Sequence, residues 1–285
     1  MRTGKQGFAA GVLVLVIVAA ATAGPIERAT ERVDVKDAKS LYVECDFGAG
    51  ELFIRAADIP EAAVLDVSYE PDKVDYSVTY DVQNGVGELL LESEITKRGK
   101  VDRIENSWEL TLSEKLPAEV HFDIGACDAE IDFGGMPLTE VSLDVGAASG
   151  LIEFSKPNPE RMREMTVDVG ASSVEFNMLG NANCEYLSFD CGAASVDVDL
   201  RGEWKGESVA DFDIGMGSAD IVVPEGLALR IESDDSGWFT SIDFDDLDLE
   251  KVSSGVWESA GFEKAAAKLT LRLDVGMGSI DIRAR

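Results

Sequence analysis

The chain has 285 residues, 45% of them hydrophobic, with 27 glycines and 8 prolines. That is enough for one large domain or two smaller ones with a buried core. Its 55 acidic and 25 basic residues leave a formal net charge of −30, which excludes nucleic acid and anionic lipid surfaces and favours cations and basic partners.

Residues 1–23 have the three parts of a secretory signal peptide. Arg2 and Lys5 give a basic start, Phe8 to Ala20 an apolar stretch, and Ala21-Thr22-Ala23 a small-x-small cleavage pattern. The stretch is shorter than the roughly 20 residues of a spanning helix. No cysteine follows it as a lipid acceptor, and no later segment is apolar enough to span after cleavage. The chain is expected to be exported, to the periplasm or the cell surface. Residues 24–40 are polar and read as a linker. Residues 41–117 read as an irregular β entry region, with alternating runs such as Val64–Tyr69, Tyr76–Tyr80, Glu88–Leu91 and Trp108–Leu112. Residues 118–285 read as a regular β-repeat stack, interrupted by an acidic, loop-rich insertion at about 232–268. No helix of convincing length is predicted.

The repeat is a corner of the form apolar-Asp-apolar-Gly. It occurs as CDFGAGELFI from Cys45, FDIGACDAEI from Phe122, LDVGAASGLI from Leu143, VDVGASSVEF from Val167, FDCGAASVDV from Phe189, FDIGMGSADI from Phe212 and LDVGMGSIDI from Leu273. Gly125, Gly146, Gly170, Gly192 and Gly215 are spaced 21, 24, 22 and 23 residues apart. Weaker echoes lie at Gly85–Leu91 and at Asp235-Ser236-Gly237 with Ile242-Asp243-Phe244. A fixed period of about 22 residues signals stacked units that bury a core only together. The predicted fold is therefore all-β, a β-solenoid-like stack with rungs of about 22 residues. A β-sandwich is the alternative, since strands every 8–12 residues fit that as well.

Strand alternation turns the apolar residues inward and the aspartates outward. This gives a column of Asp46, Asp123, Asp144, Asp168, Asp190, Asp213 and Asp274, beside turn glycines Gly48, Gly125, Gly146, Gly170, Gly192, Gly215 and Gly276. The glycines are expected to permit a turn or bulge. Rungs about 4.8 Å apart make the aspartates repel. The expected offset is a hydrogen bond from the corner N–H groups or from the serine three residues after the glycine; a cation shared between rungs is the other. A second outward column, Glu130, Glu175, Asp197, Asp220 and Asp281, reads either as a solubilising face or as a weak Ca²⁺ site. No other cofactor is implied. Of Cys45, Cys127, Cys184 and Cys191, at least two fall on core positions, and there is no CxxC. Trp238, Phe239 and Trp257 in the insertion read either as a cap on the open end of the stack or as a binding surface.

An enzyme reading has little to stand on. His121 is the single histidine, read as a surface strand residue, and no glycine corner carries the Lys-Ser/Thr of a phosphate-binding loop.

The order of Trp108–Leu112, Leu116-Pro117, serial Asp-apolar-Gly-Ala corners, FSKPNP at Phe154–Pro159, Met178–Asn183, Gly-Met-Gly-Ser and Val223–Gly226 resembles the bacterial toast-rack family. Its relatives include the extracytoplasmic domains of Lia-type proteins of the cell-wall antibiotic response and adhesin-type β-solenoids. The resemblance covers Leu41 to Arg285. It implies stacked β architecture, an envelope location, and binding or sensing without catalysis. It supplies no catalytic residues. Lia-type members carry membrane helices before this domain, and this chain has a signal peptide there. The expected function is a non-enzymatic scaffold or interaction module of the bacterial envelope, in stress sensing or adhesion, with an envelope protein or polysaccharide as partner. The alternatives are a divalent-cation-dependent surface protein and, third, a carbohydrate-active β-solenoid enzyme.

Overall fold

A computed structural model describes residues 15–17, 26–96, 104–233, 240–244 and 247–285. The expected signal peptide outside Leu15–Ile17, together with Trp238 and Phe239, lies outside the described residues. The described chain is all-β, with only two single-turn 3₁₀ segments besides its strands. In chain order the strands are β1 (Leu15–Ile17), β2 (Glu27–Val33), β3 (Ser40–Ala57), β4 (Ala63–Tyr69), β5 (Val74–Gln83), β6 (Val86–Ile95), β7 (Asn106–Ser113), β8 (Ala118–Asp132), β9 (Leu138–Val145), β10 (Ser149–Glu153), β11 (Met162–Val169), β12 (Ser173–Asn177), β13 (Cys184–Asp199), β14 (Glu207–Val223), β15 (Ala228–Ser233), β16 (Thr240–Asp243), β17 (Leu249–Ser253), β18 (Val256–Ser259) and β19 (Lys268–Ala284).

Successive repeats lie on one another in parallel register. The strand before each corner runs β3, β8, β9, β11, β13, β14, β19. The strand after it runs β3, β8, β10, β12, β13, β14, β19. This register follows from the period, because only a whole-repeat offset puts every apolar residue over another one. Phe122, Leu143, Val167, Phe189, Phe212 and Leu273 form one inward column, with Phe189 and Phe212 stacked at 4.8 Å. Cys45 and Cys191 occupy inward positions that other rungs fill with Phe, Ile or Val. All four cysteines are buried free thiols. Burial pushes Cys127 up to about 11, and Cys184 and Cys191 up to about 12.

Buried asparagines tie the returns between rungs. The Asn158 side chain donates to the carbonyls of Leu138 and Ala182, and Asn181 donates to that of Phe154. These satisfy carbonyls at the returns, of which those of Phe154 and Ala182 lie outside any strand, and this explains the recurring Asn in FSKPNP and in Met178–Asn183.

Four expectations need correction. Residues 24–40 contain β2, which pairs antiparallel with β4 from Glu27–Tyr69 to Val33–Ala63; the segment is part of the sheet and not a free linker. The echo at Gly85–Leu91 is not a corner, since β6 aligns with Ser40–Phe47, ahead of the first corner. The stacking order also departs from chain order. β19 lies between β14 on one side and β15 and β16 on the other. β15, just ahead of the insertion, and β16 within it therefore form the outermost rung, and β3 is likewise held between β8 on one side and β6 and β7 on the other.

The fourth correction concerns the glycines. None of the seven turn glycines has a positive φ, so conformational freedom is not their reason. A Cβ on Gly125 would stand 2.3 Å from the carbonyl oxygen of Gly48, and one on Gly170 or Gly276 would stand 2.7 Å from the glycine carbonyl of the rung below. At Gly125, Gly170 and Gly276 the backbones approach too closely for a side chain, whereas at Gly146 and Gly192 the nearest atoms stand at 3.6 and 3.4 Å. The left-handed positions are two residues later, at Gly50, Gly217 and Gly278, with φ of 133°, 147° and 149°.

Candidate functional site

The register makes the corner aspartates one unbroken ladder: Asp46, Asp123, Asp144, Asp168, Asp190, Asp213, Asp274. Among the described residues the expected hydrogen-bond offset is absent. The corner N–H groups bond across rungs instead: Gly146 to Ile124, Ala147 to Gly125, Gly170 to Val145, Ala171 to Gly146 and Ala193 to Gly170. The serines after the corner bond along their own column, with Ser149 donating to Asp128 and Ser195 lying 3.1 Å from Ser218. Charges at a rung spacing of about 4.8 Å stand closer than the roughly 7 Å at which two unit charges in water interact by RT. Burial, then the neighbouring carboxylates, push Asp46, Asp168 and Asp213 above the usual aspartate range.

The second column is interrupted. Leu151 stands between Glu130 and Glu175, and the ladder then continues through Asp197, Asp220 and Asp281 to Asp243. Arg283 lies 3.6 Å from Asp220 and 3.7 Å from Asp281. This column is thus partly neutralised from within, whereas the corner ladder is not.

At the insertion end, Trp257 packs edge-on against Phe244 at 5.0 Å, with the Lys251 ammonium over its ring. Phe244, Trp257, Ile242 and Leu249 all pack against the main core. Beside this cap runs an open groove of about 580 Å³ lined by Asp211, Asp213, Glu232, Arg272 and Asp274. Arg272 bridges Glu232 at 3.3 Å and Asp211 at 3.7 Å. Asp213 and Asp274 are the last two members of the corner ladder, so the ladder opens into the groove. The groove was not foreseen, because the order that places β15 beside β19 is not local in sequence.

Glu119, His121 and Glu140 form a third cluster. Glu119 and His121 face the same way on β8, and Glu140 is the partner of Glu119 on β9. The period could have found it, since Glu140 lies one repeat after Glu119. Among the described residues no helix is long and apolar enough to cross a membrane.

The sequence profile of the N-terminal domain of toast_rack, DUF2154, matches residues 22–177 and 158–222. No curated protein matches the chain. Among solved structures, a "putative cell adhesion protein" from Clostridium sporogenes is similar over 91% of this chain and 100% of its own, at 15% identity and a TM-score of 0.53. At that identity the likeness is one of fold. A "putative lipid binding protein" from Parabacteroides distasonis covers 91% of this chain and 97% of its own, at 11% identity and a TM-score of 0.30, too low to carry an argument. With more than half its length matched by the profile, the chain belongs to the toast-rack family.

Proposed function

We propose that this protein is a non-enzymatic, exported interaction module of the bacterial envelope, a β-solenoid in architecture, that holds a cationic or basic partner along its corner ladder. The observation that carries this reading is the unbroken line of seven outward aspartates with no hydrogen-bond donor or Arg/Lys salt bridge to offset them among the described residues. In-register parallel pairing of repeats supports the solenoid description over the sandwich. Family membership supports the envelope location. The test is capture of envelope proteins and of cell-wall polysaccharide by the purified protein, beside a variant with Asp144, Asp168 and Asp190 all changed to Asn. Partners held by the wild type at low salt and lost from the variant support the proposal. Equal capture by both overturns it.

A cation-dependent surface protein is the second reading, favoured by the same missing offset. Millimolar Ca²⁺ then raises the melting temperature by several degrees and a chelator reverses the rise; identical melts in both buffers rule it out.

A further inference from the structure

We propose that Glu119, His121 and Glu140 form a binding site for a divalent transition-metal ion of the zinc type, bridging β8 and β9. Strand geometry assembles the three donors. Residues two apart on a strand share a face, and the parallel partner of the first lies one rung away. Glu119 and His121 are such a pair, and Glu140 is the parallel partner of Glu119. The His121 Nε2 lies 2.9 Å from the Glu119 Oε1, and one ligand atom from each of the three residues falls within 4.8 Å of the others. Zinc bonds of roughly 2.0–2.2 Å to nitrogen and oxygen place two ligands of one ion up to about 4 Å apart. Small side-chain rotations therefore suffice to close the site.

The surroundings favour an ion here. All three residues are half-buried. The Tyr42 ring packs on the imidazole at 5.1 Å and 34°, and its hydroxyl donates to Glu44, so the imidazole is held in orientation from the neighbouring rung. Glu44 is the rung partner of His121, and the ladder members Asp123 and Asp144 follow two residues after His121 and its β9 partner, Ser142. One imidazole with two carboxylates suits a borderline ion such as Zn²⁺, whereas Ca²⁺ takes six to eight oxygens. Arg163 pairs with Glu140 and occupies the position that the ion would take electrostatically. Metal binding must displace it, so Arg163 sets the affinity from outside the ligand set.

The test is isothermal titration of the full chain, purified without a histidine tag, with Zn²⁺ and separately with Ca²⁺. One saturable Zn²⁺ site is expected. Loss of an outer-shell partner alone costs metal affinity about 10–100-fold, so His121→Ala and Glu119→Gln should each weaken binding at least ~10-fold. Arg163→Ala should strengthen it, and Glu225→Gln, in the exposed turn after β14, should leave it unchanged. Circular dichroism melts check that each variant is folded. Zn²⁺ bound as tightly by His121→Ala as by the wild type, or no saturable Zn²⁺ binding by the wild type, overturns the proposal.

Discussion

Gly125 and Gly146 occupy the same position in consecutive repeats, yet alanine should have opposite effects at the two. Neither has a positive φ, so neither substitution strains the backbone. At Gly125 the new methyl would stand 2.3 Å from the Gly48 carbonyl oxygen. That atom is backbone, fixed in the β3–β8 ladder, with no rotamer to yield. At Gly146 the nearest atoms stand at 3.6 Å, an ordinary van der Waals contact. Overpacking costs about 1–3 kcal/mol, which for a chain of this size lowers the melting temperature by roughly 2–5 °C. Gly146→Ala avoids that cost, and its reduced unfolded-chain entropy favours the fold by about 0.4–1 kcal/mol. Thermal and urea unfolding of both variants, followed by circular dichroism, measures the difference. Equal losses, or a larger loss at Gly146, would refute the close-approach account and return the glycines to a role in turn conformation.

The ladder gives a prediction with a definite sign. Asp168 and Asp213 are raised by burial and by neighbouring carboxylates, so the folded chain holds their protons more readily than the unfolded one. Their contribution to stability is lost as pH rises through the raised values and regained on acidification towards the ordinary value near ~4. Changing both to Asn should therefore stabilise the fold at pH 7 in low salt by up to about 1 kcal/mol per repulsive pair removed, read as a higher melting temperature. High salt or acid should shrink the gain. Trp257→Ala should lower stability by about 1–3 kcal/mol, for a half-buried ring, without reducing partner capture; normal stability with lost capture would assign Trp257 to binding. The four thiols are buried, so a thiol reagent at pH 8 should find none in the native protein and all four in denaturant.

Much of the corner was legible in sequence because period and alternation act together. Once Phe122 faces inward, Asp123 must face outward, and the repeat carries that choice to Asp274. The reason for the glycines was not legible, because it lies in the carbonyl of another rung and not in the local chain. The offset expected for the aspartates failed for a related reason: the N–H groups of Gly146 and Ala147 already bond to the rung below. Leu151 shows the opposite case. It sits five residues after Gly146, where five of the other six copies carry Glu or Asp, so the break in the second column was visible in the sequence and becomes meaningful only in register. The strand in residues 24–40 was hidden because β2 is polar on much of its surface and is defined by its partner β4.

The placement of β19 has a consequence for how the molecule is assembled. Seventeen residues, Lys268–Ala284, serve as a wedge between two layers that are made earlier. Until that strand arrives, β14 presents an unpaired parallel edge, and the layer formed by β15 and β16 has nothing to lie on. Such an edge is a template for other chains. The repeats cannot therefore zip up one by one in chain order and be finished early. The gap closes from the middle, at the last step, and a chain halted before Lys268 would be left with an adhesive slot where the finished protein has a continuous wall.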